Sequence, residues 1–336
     1  MAKHYHVYGI GAALVDTEIN VTDDDLNMIS IDKSLMTLVD EERQIQLIDY
    51  FKNHLIYSKR TSGGSTANAI IAIAQFGGQT FYSCKVGNDD NGRFYLNDLE
   101  IAGVDYHIDK CQDEGITGTC LVMVTSDAER TLCTFLGINA IQSEHDIIPE
   151  VIAACNYVYF EAYMIMSLPT FAAAKYLCEI AELNNVKIAM SFSDSSIIMI
   201  YHDRLCEILK KPIDLLFCNR NEAFSWSQTD KIDIAVDKLK IIARTFVITL
   251  GAEGSLVYDG TKLYNIAPHK VDAIDSSGAG DMFAGAFLFG ITHGQDYFTA
   301  GNLASLAAAT VVSNYGSRLS AAKQKHLLAQ WNNFRQ

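Results

Sequence analysis

Short apolar runs rich in Val, Ile, Tyr and Phe alternate along this chain with longer stretches whose apolar residues recur at helical spacing. The runs Tyr5 to Ile10, Thr80 to Val86, Tyr157 to Glu161, Lys187 to Phe192, Leu215 to Cys218 and Phe246 to Leu250 predict strands. Helical patterns lie near 41–55, 65–76, 90–102, 168–184, 233–243, 279–292 and 297–314. This alternation predicts βαβ units around a mainly parallel sheet, an α/β fold. Residues 14–40 and 114–137 break the rhythm, with β-like pieces and no helix between them. Within the second stretch, Thr119 to Thr125 and Thr131 to Leu136 form a hairpin around Ser126-Asp127-Ala128-Glu129. The expected organisation is a large domain of residues 1–13, 41–113 and 138–336. A discontinuous β lid of 14–40 and 114–137 would lie over the C-terminal edge of its sheet, where α/β folds bind ligands.

With 336 residues, 49% of them hydrophobic, the chain can build such a domain around a sizeable core. Its net charge of −14 and lack of a Lys/Arg run exclude nucleic acid as a general partner. An anionic ligand would have to be held locally, by backbone N–H groups, a helix N-terminus or a metal ion. No apolar segment reaches membrane-spanning length, and Met1 to His6 lack a signal-peptide core, so no membrane is expected. The eight cysteines show no CxxC spacing and read as reduced core thiols, which suits the cytoplasm.

Candidate chemistry gathers at glycine-rich turns. In Asp275-Ser276-Ser277-Gly278-Ala279-Gly280-Asp281 a glycine triplet opens the helical pattern that starts at Met282. Gly278, Ala279 and Gly280 would bring free N–H groups up to a phosphate, forming an anion hole for charge that develops on a transferred phosphoryl group. Asp281 in the first turn would be a carboxylate able to take the proton of an attacking hydroxyl. The same residues also suit an ordinary glycine turn with an acidic first-turn residue.

Ser62-Gly63-Gly64-Ser65-Thr66-Ala67-Asn68 is a second glycine-rich helix start. Gly63 and Gly64 allow close approach of a bound molecule, and Asn68 offers both a donor and an acceptor to hydroxyls. Asn219 and Glu222 follow a strand and suit Mg²⁺ through water, or equally a helix cap with Glu at the third position. Thr249, Gly251 and Gly254 mark a tight turn, either against a nucleotide or in a plain hairpin. Asp16 could accept hydrogen bonds from vicinal hydroxyls, or be a solvated loop acid. Gly9-Ile10-Gly11 is not a dinucleotide fingerprint, because Leu14 stands where the third glycine belongs.

Taken together, these motifs resemble the PfkB (ribokinase) family of carbohydrate kinases from Gly9 to about Arg318. The resemblance implies a ribokinase-like three-layer α/β/α sandwich with a small β-sheet lid, acting as an ATP-dependent kinase. It implies Asp281 as catalytic base and Gly278, Ala279 and Gly280 as the anion hole. Asp16, Gly63, Gly64, Asn68 and Ser277 would contact substrate, Asn219 and Glu222 would lie near Mg²⁺, and Thr249, Gly251 and Gly254 near ATP. Glu129-Arg130-Thr131 and Tyr157 to Tyr163 are most similar to the adenosine kinase-like branch. That match carries Arg130 to the transferred phosphate and Tyr163 to a nucleobase. Ala12 and Ala162 depart from the branch, where Asn and Gly are usual, and Ser276 replaces its Thr. The implied reaction is phosphorylation of a nucleoside 5′-hydroxyl, adenosine to AMP. A sugar kinase of the same fold and a catalytically silent nucleoside-binding regulator are the alternatives. The expected partners are the small-molecule substrate and ATP, with the chain a monomer or homodimer.

Overall fold

The apolar runs assemble into one eight-stranded sheet. Its order is Leu263–Ile266, Ser255–Tyr258, Ala243–Thr249, Ile213–Asn219, Lys187–Ser191, Cys155–Glu161, Tyr5–Ile10 and Thr80–Ser83. The six strands from Ala243–Thr249 to Thr80–Ser83 run parallel, and the last two join by antiparallel pairing, so that only Ser255–Tyr258 runs against the rest. This computed structural model describes residues 4–33, 35–55, 59–127 and 129–334. The first three residues, Ala128 of the expected hairpin turn and residues 335–336 lie outside them.

Both faces of the sheet are covered, as strands that are apolar on both sides require. One core holds Ile70, Ile73, Phe283, Phe287 and Leu303 from helices Ser65–Gln75, Ala279–Thr292 and Tyr297–Val312. The other holds Phe171, Leu177, Ala223 and Leu239 from Leu168–Leu183, Arg220–Ser227 and Ile232–Ile242. The result is the three-layer α/β/α sandwich that the sequence led us to expect. From Tyr5–Ile10 the chain passes first to Thr80–Ser83 on one side and later to Cys155–Glu161 on the other. Such a reversal opens a crevice at the C-terminal ends of the two strands it separates, here just beyond Ile10 and Glu161.

The strand expected from Thr80 to Val86 stops at Ser83, and Val86–Gly87 pairs instead with Gln112–Asp113. Between them Lys85 is buried, and its ammonium lies 3.1 Å from both Asp113 and Asp146. A buried lysine needs such anions, and satisfying it draws the chain out of the sheet.

The lid is a five-stranded sheet in the order Met36–Leu38, Arg130–Phe135, Gly118–Val124, Leu14–Asn20 and Lys59–Gly63. Its hairpin is antiparallel, with Thr119 opposite Phe135. Lys59–Gly63 carries no apolar alternation and joins as the antiparallel neighbour of Leu14–Asn20. Leu47 of helix Glu41–Tyr50, with Phe51 behind it, packs on Ile19, Leu121, Met123 and Cys133 of this sheet. Helix Glu41–Tyr50 and strand Lys59–Gly63, expected with the large domain, therefore lie with the lid, because the apolar outer face of the small sheet has to be covered.

Two helices carry the glycine-rich motifs, and they pack directly together. A Cβ on Gly285 would sit 2.6 Å from the Ala69 carbonyl oxygen and 2.9 Å from the Ala72 Cβ. Gly285→Leu should therefore force these helices apart and destabilise the fold by about 1–3 kcal/mol, the usual range for overpacking. The check is the urea unfolding midpoint. An unchanged midpoint would mean that the contact is looser than drawn.

Candidate active site

A cavity of about 340 Å³ opens between the lid and the crevice beyond Ile10 and Glu161. It falls at the lower end of the range, about 300–1,000 Å³, of small-molecule sites. Asp16, Gly64, Asn68, Arg130, Tyr163, Ser277, Gly278 and Asp281 all line it. Residues far apart in the chain thus converge on one space.

The glycine triplet opens helix Ala279–Thr292 as expected. Gly278 is the N-cap with φ +70°, and a Cβ there would collide with the Ser317 carbonyl oxygen at 2.0 Å. Asp275 holds the turn from below. Its Oδ1 accepts from Ser277 N (2.9 Å) and its Oδ2 from Gly316 N (2.7 Å). The Ala279 N–H points at the Ser276 carbonyl at 3.3 Å. The N–H groups of Gly280 and Asp281 belong to the first turn, which leaves them without intrahelical partners. Gly280 faces open space, for a Cβ there would meet nothing within 4 Å.

Asp281 is tied to the second glycine-rich motif. Asn68 Nδ2 donates to its Oδ2 at 2.8 Å, and Ser65 Oγ bonds its Oδ1. Asn68 therefore orients Asp281, while its own buried Oδ1 has no partner. Ser65 Oγ also bonds Glu161 Oε1 at the end of strand Cys155–Glu161. Burial pushes the Asp281 carboxyl above its ordinary range, although its bonds to Ser65 and Asn68 pull the other way. Burial, and then the charge of Asp281, push Glu161 up to about 8.

Asp16 sits where the lid joins the main sheet. A Cβ on Gly63 would lie 2.2 Å from its Oδ2, so the glycine makes room for this carboxyl. Burial pushes Asp16 up to about 7, with Arg318 and Arg130 opposing. Arg130, reaching down from the lid, bonds Asp275 and also Glu18 at 3.1 Å. Tyr163 follows strand Cys155–Glu161 in a 3-10 turn that begins at Ala162. Apolar side chains also line the wall, Met36, Leu38, Leu132 and Leu136 from the lid side and Met164 and Met166 from that turn and its end, beside polar ones such as Asn139, Gln142 and Thr170.

Gly63, Ala279 and Gly280 belong to the motifs at this cavity without lining it, while Asn219, Glu222, Thr249, Gly251 and Gly254 lie outside it, farther along the same sheet edge. Asn219 and Thr249 are paired in register at the ends of adjacent parallel strands. Gly251 and Gly254 bound the short turn after Thr249, which Arg220 ties to Glu253 at 2.8 Å. Asn219 and Glu222 form a reciprocal helix cap. Glu222 accepts from Asn219 N (2.9 Å) and Nδ2 (2.6 Å), and Glu222 N donates back at 2.9 Å. Burial pushes Glu222 up to about 7. Among the described residues, no three His, Cys, Asp or Glu side chains are grouped to hold a metal ion. Nor is any helix long and apolar enough to cross a membrane.

Glu161 and Ser65 were the residues not singled out from sequence. The signal for Glu161 was an acid ending the otherwise apolar run Tyr157-Val158-Tyr159-Phe160. Ser65 stood inside a motif read for its glycines and Asn68.

A doubly covered sheet, a lid, and two glycine-capped helix starts meeting at a buried carboxyl define an α/β phosphotransferase. The profile of the pfkB family of carbohydrate kinases matches residues 27–324, and the chain belongs to that family. It is an ATP-dependent kinase. A solved adenosine kinase from Sinorhizobium meliloti superposes with TM-score 0.89 at 30% identity, covering 97% of this chain and 99% of that one. The adenosine kinase of Saccharomyces cerevisiae is 27% identical over 333 residues, 94% of this chain and 96% of its own. A ribokinase from Staphylococcus aureus is also 27% identical, over 269 residues, covering 78% and 85% of the two chains.

The raised carboxyl at Glu161 has a consequence for stability. Between its ordinary value of 4.5 and about 8, the folded chain keeps a proton that the unfolded chain has lost. The stability this group contributes is present below that window and lost as pH rises through it. Melting curves of ligand-free protein should therefore show wild type losing more stability than Glu161→Gln between about pH 5 and pH 8. Parallel curves would contradict the shift.

Proposed function

We propose that this kinase transfers the γ-phosphoryl group of ATP to the primary 5′-hydroxyl of a nucleoside, adenosine foremost, forming AMP. The observation that carries this reading is the pair of side-chain classes that line the cavity. Asp16, Asn68 and Asp281 suit a ribose diol and its primary hydroxyl. Met36, Leu38, Leu132, Met164 and Tyr163 suit a flat base that a free sugar lacks. The adenosine kinases among the relatives support the same choice. The second reading is a sugar kinase acting on ribose, fructose or a related sugar, favoured by the equal identity to a ribokinase.

In this reading the nucleoside lies between sheet edge and lid, its diol against Asp16. Closure of the lid excludes water and so limits wasteful hydrolysis of ATP. Asp281, oriented by Asn68 and Ser65, takes the proton of the 5′-hydroxyl. The freed oxygen attacks the γ-phosphorus in line, ADP departs, and Arg130 and the N–H groups at Gly280 and Asp281 face the phosphoryl oxygens. Ser277 and Gly278 line the cavity beside them. Thr249, Gly251 and Gly254 would border the nucleotide at the sheet edge.

Mg²⁺ would be held near Glu222, where it would neutralise phosphate charge when bound. The two N–H donors from Asn219 leave each carboxylate oxygen of Glu222 with a further lone pair, which fits a water of a hydrated Mg²⁺. The eight free cysteines support a reducing, cytoplasmic setting, and the proposed activity is one of purine salvage.

Asp281→Asn should fold normally and lose about 10²–10⁴-fold in kcat, the usual contribution of a general base. Turnover close to wild type in a folded variant would reject the base assignment. A panel of adenosine, other nucleosides, ribose and fructose with ATP and Mg²⁺, read by ADP release, should favour adenosine. Strong turnover of free sugars without nucleosides would replace this reading with the sugar kinase.

A further inference from the structure

Ser65 Oγ stands within hydrogen-bonding reach of two carboxyls, Glu161 Oε1 and Asp281 Oδ1. A hydroxyl has one hydrogen to give. If both acids were ionised, one of the two contacts would set a serine lone pair against a carboxylate inside the protein. The arrangement is satisfied only when one acid supplies a second hydrogen.

The surroundings decide which acid that is. Asp281 receives a second donor, Asn68 Nδ2, at 2.8 Å, and lies in the first turn of its helix, where the dipole favours negative charge. Glu161 is only 4% exposed. No Lys or Arg forms an ion pair with it among the described residues. The ionisable groups around it are Asp281 from helix Ala279–Thr292, Tyr82 from the edge strand, Tyr159 on its own strand and Tyr163 in the turn that follows. None is a cation; helix Ser65–Gln75 presents the hydroxyls of Ser65 and Thr66 and the Thr66 backbone N–H, which oppose burial and the Asp281 charge without outweighing them.

We propose that Glu161 is a positioning residue that stays protonated and donates to Ser65 Oγ, so that the Ser65 hydroxyl donates to Asp281 and holds it as the ionised, oriented base. This rests on the reading of Asp281 as base. The hydrogens balance along the chain: Glu161 O–H to Ser65 Oγ, Ser65 O–H to Asp281 Oδ1, and Asn68 N–H to Asp281 Oδ2. The proton that Asp281 takes from the substrate is additional, and passes to water when product leaves. The raised carboxyl of Glu161 agrees with this assignment. Loss of the Glu161 proton at alkaline pH turns the serine hydrogen towards a second anion, and the base loses its orientation.

The test is the pH profile of kcat with ATP and adenosine for wild type, Glu161→Ala, Glu161→Gln and Ser65→Ala. Glu161→Ala and Ser65→Ala should each lower kcat by about ten- to a hundredfold, the worth of a hydrogen bond to a charged group, with little change in KM. Glu161→Gln should recover most of that loss, because its amide donates as the acid does. It should also lose the alkaline fall of the wild-type profile while keeping the acid limb in place. Infrared spectra of ligand-free protein at neutral pH supply a readout that needs no substrate. Asp16 and Glu222, both pushed up to about 7, contribute to the protonated-carboxyl C=O region, so the readout is the difference spectrum: wild type minus Glu161→Gln should show a protonated-carboxyl band lost on substitution. Three outcomes would overturn the proposal: Glu161→Gln as impaired as Glu161→Ala, coincident alkaline limbs, or no protonated-carboxyl band lost in Glu161→Gln. A fully active Asp281→Asn with that band intact would instead reject the base reading and leave the protonated Glu161 standing.

Discussion

The site depends on one close approach, that of helix Ala279–Thr292 to helix Ser65–Gln75 at Gly285. The missing side chain there lets the second helix lie against the backbone of the first, beside Ala69 and Ala72. Both helices begin at glycine-rich turns on the same sheet edge, so packing their bodies together also brings their N-termini together. Asn68 and Ser65 then reach Asp281, over two hundred residues away in the chain, as the separation of 213 between Asn68 and Asp281 records. The candidate site is in this sense a by-product of core packing. Gly285, outside the cavity, fixes the distance between Asp281 and the side chains that bond it.

The sheet supplies the other half of the geometry. Its order reverses between Tyr5–Ile10 and Cys155–Glu161, and the crevice left there is where Asp16, Glu161 and Tyr163 emerge. The lid closes this crevice from above and contributes Asp16, Arg130 and an apolar wall. It is anchored below by Arg130, which joins Asp275 of the glycine motif to Glu18 of the lid. Asp275 thus links the turn that presents Gly278 to the element that covers it.

Much of this was legible in the sequence. Tyr5–Ile10 was read with both ends correct, and helices 65–76, 90–102 and 279–292 agree with the observed ones to within a residue at each end. These elements have strong apolar periodicity and capping glycines or acids to mark their ends. Two of the motifs behind the family resemblance, Ser62 to Asn68 and Asp275 to Asp281, meet in space. What failed to show had little local signal. Lys59–Gly63 is polar and forms a strand only because Leu14–Asn20 offers it an edge. Glu41–Tyr50 shows a helical pattern, but nothing in it says which sheet its apolar face will cover. Asn68 was expected to bind hydroxyls, and its amide nitrogen also donates to Asp281, a contact between distant elements that spacing cannot reveal. Glu161 was hidden for the same reason. An acid ending a buried strand takes its meaning from the serine and aspartate that face it.

The central claim is that a primary hydroxyl, held against Asp281, receives the phosphoryl group of ATP. The ³¹P NMR spectrum of the product formed from ATP and adenosine tests it most directly. The account predicts a new phosphomonoester signal split by the two methylene protons, the signature of phosphate on the 5′-carbon. A signal split by a single proton, or inorganic phosphate alone, would contradict it.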